Sequence, residues 1–165
     1  MKIFFSLLLT GTLVASCGIY SFTGASIPTE AETVSVAYFT STATNLPATL
    51  NQTITEGLRD LLLSQTSLEL VESNGDLNFN GTITKYQLNP MAIQANETAG
   101  KNRLTIAVEV EYDNMLDKSQ NFKTIFNRYR DFDSSENLTD VEGILIEEIS
   151  KELLEDIFNK AFVNW

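Results

Sequence analysis

Leu104, Ile106, Val108, Val110 and Tyr112 alternate without a break with Thr105, Ala107, Glu109 and Glu111. A period of two sends alternate side chains to opposite faces of an extended chain. This stretch is therefore a strand with one face on an apolar core and the other facing a polar environment. Such a strand needs neighbours in a sheet and a second layer over its apolar side. The sequence supplies the layer as two helices. Val141, Leu145, Ile149, Leu153 and Ile157 recur on one helical stripe, with Ile146, Leu154, Phe158 and Phe162 beside it, and Thr139-Asp140-Val141-Glu142 reads as a capping box at its start. Leu50, Ile54, Leu58, Leu61 and Leu62 mark an earlier helix, opened by Pro47 with Asn45 as its candidate cap and closing near Gln65.

The neighbours of the central strand follow from the same patterning. Val34, Val36 and Tyr38 form a first short strand, and residues 68–71 form a second. Asn74-Gly75 precedes the alternation of Leu77, Phe79, Gly81 and Ile83, which predicts a type I′ hairpin joining the second strand to a third. That third strand is expected to stop near Leu88, at Asn89-Pro90, followed by a polar loop over residues 89–102. A turn over 113–119 then returns the chain into an aromatic-rich strand over 122–132. Strand, helix and strand in succession imply a right-handed crossover and a parallel pair, while the later strands form an antiparallel meander. The expected fold is α+β, a two-layer sandwich with two helices packed on one face of a mixed four- to five-stranded sheet.

The N-terminus has a different character. Lys2 precedes a twelve-residue apolar run from Ile3 to Val14, diluted only by Ser6, Thr10, Gly11 and Thr12. Twelve residues are too short to span a bilayer but suit a signal-peptide core. The run ends at Val14-Ala15-Ser16-Cys17, which resembles a bacterial lipobox, and Cys17 is the single cysteine among 165 residues. An ordinary secretory signal with an incidental thiol is the bland alternative. The lipobox reading makes 1–16 a lipoprotein signal peptide, Cys17 the lipid attachment site, 17–32 a lipidated segment and 33–165 the folded domain. Gly18, not Asp, follows the cysteine, which resembles the outer-membrane sorting pattern, so the expected location is the periplasmic leaflet of the outer membrane.

Charge and chemistry narrow the function. There are 22 acidic against 11 basic residues; losing Lys2 with the signal leaves 10, formally −12. No basic stripe suited to nucleic acid exists in such a chain, and anionic lipid would repel it, so the acyl group must provide the membrane attachment. The absence of histidine removes the commonest general base and zinc ligand. Asp76-Leu77-Asn78-Phe79-Asn80-Gly81 begins like a calcium loop, but position twelve is Gln87, and strand alternation explains the same residues. Asn51, Asn80, Asn96 and Asn137 begin Asn-x-Thr triplets that are chance matches behind a bacterial lipobox. Glu147-Glu148 and Glu155-Asp156 fit a solvated helix face. These residues predict no enzyme, no metal and no cofactor beyond the covalent lipid. Half of the mature basic residues fall close together: Lys123, Arg128 and Arg130 in the last strand, with Lys101 and Arg103 entering its presumed neighbour. They are a candidate anion contact for a phosphorylated lipid or polysaccharide; the alternative is cross-strand pairing with Glu109, Glu111 and Asp113. Met91 and Ile93, apolar in the polar loop, are the candidate partner contacts.

Several segments together resemble one family. Cys17-Gly18-Ile19-Tyr20-Ser21-Phe22-Thr23-Gly24, Leu62-Leu63-Ser64-Gln65-Thr66, Asn102-Arg103-Leu104-Thr105-Ile106 and Asp156-Ile157-Phe158-Asn159-Lys160, with the terminal Asn164-Trp165, are similar in order and spacing to the LptE lipopolysaccharide-assembly lipoproteins in their Bacteroidetes form. The resemblance implies an outer-membrane lipoprotein that plugs the LptD β-barrel, assists its assembly and helps insert lipopolysaccharide into the outer leaflet. It also implies a fold of two helices and four or five strands. Basic residues near the sheet contact lipopolysaccharide in enterobacterial members, with no one-for-one match to positions here. The alternatives are a periplasmic glycolipid- or anionic-glycan-binding lipoprotein and a pilotin-like adaptor of another outer-membrane machine.

Overall fold

The computed structural model describes Pro28 and residues 30–91 and 100–163. The elements run β1 (Thr33–Val36), β2 (Thr40–Ser41), α1 (Leu50–Gln65), β3 (Glu69–Val71), β4 (Leu77–Met91), β5 (Lys101–Asn114), a 3-10 turn (Lys118–Gln120), β6 (Phe122–Asp133) and α2 (Leu138–Phe162). The strands form one mixed sheet in the order β3-β1-β4-β5-β6, with β2 also paired to β4. Both helices cover one face, giving the α+β two-layer sandwich that the patterning predicts, with six strands once β2 is counted. Beneath them lies the core, which includes Val34, Leu58, Leu62, Leu77, Phe79, Ile83, the even-numbered residues of β5 from Leu104 to Tyr112, and Ile149, Leu153 and Ile157. The wide stripe on α2 packs against both the sheet and α1.

Four local expectations are corrected. Asn74-Gly75 does not turn a hairpin: β3 and β4 never pair, because β1 lies between them and runs parallel to both. Asn74 does take the left-handed conformation, φ 56°, but in a connection that passes β1. Next, β4 continues through Pro90 to Met91. Only its first half has strands on both sides; from Lys85 onward β5 is its sole neighbour, so the missing N–H of Pro90 falls on an open edge. The polar loop is correspondingly shorter than 89–102. The capping box at Thr139 is not formed either. Asn137 is the residue before the helix, and Glu142 instead accepts a hydrogen bond from the Tyr86 hydroxyl. Finally, α1 starts at Leu50 rather than Pro47, and Asn45, the expected cap, has φ 60° ahead of the turn closed by Leu50 N–H to the Pro47 carbonyl.

The first strand also breaks its own alternation. Val36 pairs with Phe79 but Thr40 pairs with Thr82, so the β1–β2 side carries one extra residue, as a bulge does. The effect is to expose Tyr38, 56% accessible, and turn Phe39 fully into the core. Gly81 makes the room: a Cβ there would lie 2.1 Å from the Phe39 ring. The Phe39 N–H donates to Thr55 Oγ1 (3.0 Å) and its carbonyl accepts from Asn51 Nδ2 (2.8 Å), which fixes the bulge to α1.

Candidate functional site

Strand parity decides where the five basic candidates go. On β6, Lys123 opposes Glu111, whereas Arg128 opposes Ile106 and Arg130 opposes Leu104. Ile106 and Leu104 point under the helices, so Arg128 and Arg130 share that face while Lys123, with Lys101 and Arg103 on β5, belongs to the open face. The structure therefore brings the five together as two groups, not one surface.

On the helix side, the two arginines fasten edge strand β6 to α2. Arg128 makes a two-pronged pair with Asp156, both contacts 2.7 Å. Arg130 reaches Glu148 through Nε at 2.8 Å and Glu152 through Nη2 at 2.6 Å. The Arg130 guanidinium is held strongly protonated, chiefly by its hydrogen bond to Glu152 and then by Glu148, and Glu152 is in turn held below the usual carboxylate range by Arg130. These acids are spaced four apart on α2, so each turn of the helix presents one to the strand.

On the open face, Arg103 clasps Asp131 at 2.7 and 2.8 Å, and its guanidinium lies 3.7 Å over the Tyr129 ring. That hydrogen bond lowers the Asp131 carboxyl below its ordinary range. Lys101 adds to the positive field felt by Asp131 and Asp133. Lys123 Nζ sits 3.0 Å from Glu109, the expected cross-strand pairing, and Glu109 is the main cause of its raised pKa. An incoming anion at Arg103, Lys123, Arg128 or Arg130 would have to displace a carboxylate already in place.

The same open face carries two adjoining shallow depressions. One, about 390 Å³, is lined by residues including Ser35, Glu72, Asn78, Asn80 and Asp113; the other, about 300 Å³, by residues including Tyr38, Thr82, Glu109, Glu111 and Lys123. Glu72, Glu109, Glu111 and Asp113 make this sheet face acidic, while Tyr38, Ile125 and Tyr129 are also exposed on it. Asp76, the first residue of the calcium-loop lookalike, serves the fold instead, accepting from the N–H groups of Glu32 and Thr33 and from the Thr33 hydroxyl. The Thr33 hydroxyl is the main reason its pKa is lowered. Among the described residues no group of three or more Asp, Glu or Cys side chains could hold a metal ion, and no helix is long and apolar enough to cross a membrane.

Met91 stands at the exposed end of β4, 37% accessible. Ile93 and Cys17 lie outside the described residues. The patterning missed a third concavity, of about 520 Å³, between α1 and α2 on the outer side of the helix layer. The available signal was the small residues Gly57 and Ser150 at interior helix positions.

A family profile described as LptE, lipopolysaccharide-assembly, matches residues 31–161, from ahead of β1 to all but the last residue of α2. None of the curated proteins matches the sequence. Among solved structures, a hypothetical protein from Chlamydia trachomatis is similar with a TM-score of 0.54 at 10% identity, covering 81% of this chain and 99% of that one. A protein described as a homolog of the neuraminyllactose-binding hemagglutinin, from Helicobacter pylori, gives a TM-score of 0.54 at 6% identity, covering 84% and 87%. At such identities these likenesses concern the fold alone.

Proposed function

The chain belongs to the LptE family of lipopolysaccharide-assembly proteins, and from that premise we propose that it is an outer-membrane lipoprotein that plugs the LptD β-barrel, assists its assembly and so supports lipopolysaccharide insertion into the outer leaflet. The observation that carries the proposal is the family match across both layers of the domain. The open sheet face agrees with it, because the lumen of a large membrane barrel is polar and a plug must present hydrated side chains to it.

Cys17 is the lipid attachment site in this reading, with 1–16 removed as signal, 17–32 as tether and 33–165 as the plug domain. More than one acyl chain on one residue gives stable anchoring where a single chain does not. Lys101, Arg103 and Lys123 are the lipopolysaccharide contacts we propose on the open face; Arg128 and Arg130 would reach that ligand only by releasing α2. Met91 and Ile93 are the proposed partner contacts at the end of β4. No step in this function asks for a reaction, a metal or a soluble cofactor.

Affinity purification from detergent-solubilised envelopes tests the proposal. An LptD barrel recovered in stoichiometric amount supports it, and a clean preparation without a barrel overturns it. Cys17→Ala should move the protein from the membrane to the soluble fraction. Retention of the variant in the membrane would rule out Cys17 as the anchor.

A further inference from the structure

The groove between α1 and α2 has features that neither packing nor the ion pairs with β6 account for. Gly57 and Leu154 meet at its centre, where a Cβ on Gly57 would lie 2.6 Å from Leu154 Cδ1. Thr53, Leu61 and Ser64 from α1 line one wall, and Ser150 from α2 lies at the base. Ser150 is 2% accessible, and its hydroxyl finds no hydrogen-bond partner among the described residues. Thr55, the other buried hydroxyl of the helix layer, both donates to the Asn51 carbonyl and accepts from the Phe39 N–H. A buried hydroxyl is ordinarily satisfied; this one is sealed beneath the floor of the concavity, so what the concavity can hold is set by its apolar walls and its rim.

The rim says what that is. The two flanks of α2 differ: Glu148, Glu152 and Asp156 face β6 and are matched by Arg128 and Arg130. The flank toward α1 presents Glu147 and Glu155, with Asp60 across the groove, against Lys151 alone. An anionic lipid would have to bring its phosphate to an acidic rim. A second copy of this chain would bring the same acidic rim and the same net negative charge.

We infer that the groove between α1 and α2 docks a segment of the partner protein that presents an apolar side chain beside a lysine or arginine. The apolar side chain packs on Leu61 and Leu154, and the cation sits among Asp60, Glu147 and Glu155. The inference rests on the barrel reading only for the partner's identity.

The test uses the full-length lipoprotein in its own envelope, with a photoreactive residue replacing Ser64 at the groove and, separately, Asn127 on the open face. The expected result is a Ser64 adduct that mass spectrometry maps to a barrel peptide with a basic residue next to an apolar one. In parallel, Asp60→Lys with Glu155→Lys, both on exposed positions, should lower barrel recovery about tenfold while leaving the melting curve of the isolated protein unchanged. If wild type recovers the barrel but Ser64 gives no barrel adduct, or the charge reversal leaves recovery intact, the groove inference falls and the barrel reading stands. A lipid adduct at Ser64 assigns the groove to an acyl chain and overturns the inference. If wild type recovers no barrel, the family-based reading fails and the inferred partner fails with it.

Discussion

The two faces of the sheet are built from the same strands and obey opposite rules. On the covered face, the even-numbered residues of β5 from Leu104 to Tyr112 sit at or near zero accessibility under the helices, so volume and shape decide what is tolerated. On the open face, one residue away along the same backbone, Glu109, Lys123, Arg103 and Asp131 pair with one another in water, where each pair contributes little and can be exchanged for a partner. The helix-facing arginines are the instructive exception. Arg128 and Arg130 lie on the covered side at the edge strand, where the sheet outruns its helices, and join the two layers through α2 carboxylates instead of apolar contact. The covered face of the sheet is committed to holding the shape of the protein, and the open face is available for contact.

The difference between the two faces is largest in the core. Leu58→Ala, at a fully buried position of α1, should cost about 2–5 kcal/mol in urea denaturation, whereas Asn80→Ala on the open face should stay within about 0.5 kcal/mol; equal losses would remove the distinction. Next in size is Gly81→Ala. Phe39 is locked by two backbone hydrogen bonds to α1 and cannot yield to the new methyl, so about 1–3 kcal/mol should be lost. Arg130→Ala should cost about 0.5–1 kcal/mol, because the pair is partly exposed and water screens it. High salt should erase most of that difference.

Tyr112 is a polar exception within the covered face. Burial pushes its phenol up to about 12, an effect that Asn114 opposes, yet the hydroxyl has no partner in hydrogen-bond geometry. Its ring is held by Phe79 at 4.8 Å and Phe122 at 5.2 Å. Tyr112→Phe should therefore leave stability unchanged or raise it by up to about 1 kcal/mol. For an acid whose folded pKa is raised, stability is whole below the unfolded value near 10 and declines as pH rises past it. The variant should lose that part of the alkaline decline.

Asp76 has the opposite sign and the smallest expected effect. Its folded pKa is lowered, so its contribution is present above the ordinary aspartate range and is lost as pH falls through that range toward the lowered value. In an acid titration followed by circular dichroism, Asp76→Asn should flatten the earliest part of the unfolding limb. A curve identical to wild type would mean that the Thr33 clamp on β1 does not contribute to stability.

Much of this architecture is legible in the residues because burial is encoded locally. Leu104 to Tyr112 and Val141 to Ile157 reveal their faces by period alone, and the crossover β1-α1-β3 follows from element order. Asn74-Gly75 misleads because a turn signal describes four residues, while the neighbour of β4 is settled by which strand closes the sheet. Pro90 misleads for a related reason: a proline stops a strand only where its missing N–H is needed, and half of β4 has no strand on that side. Tyr38 and Phe39 exchange places because a bulge shifts the period by one.

The fold class and most of the core are thus legible in the residues alone. The tertiary structure alone decides the strand order, the joining of Arg130 to Glu148 and Glu152 and the groove with its unmet Ser150 hydroxyl. The physical reason is one of range. Hydrophobic periodicity is a property of neighbours along the chain, whereas ion pairs, helix crossings and sheet order depend on residues brought together only when the whole domain closes.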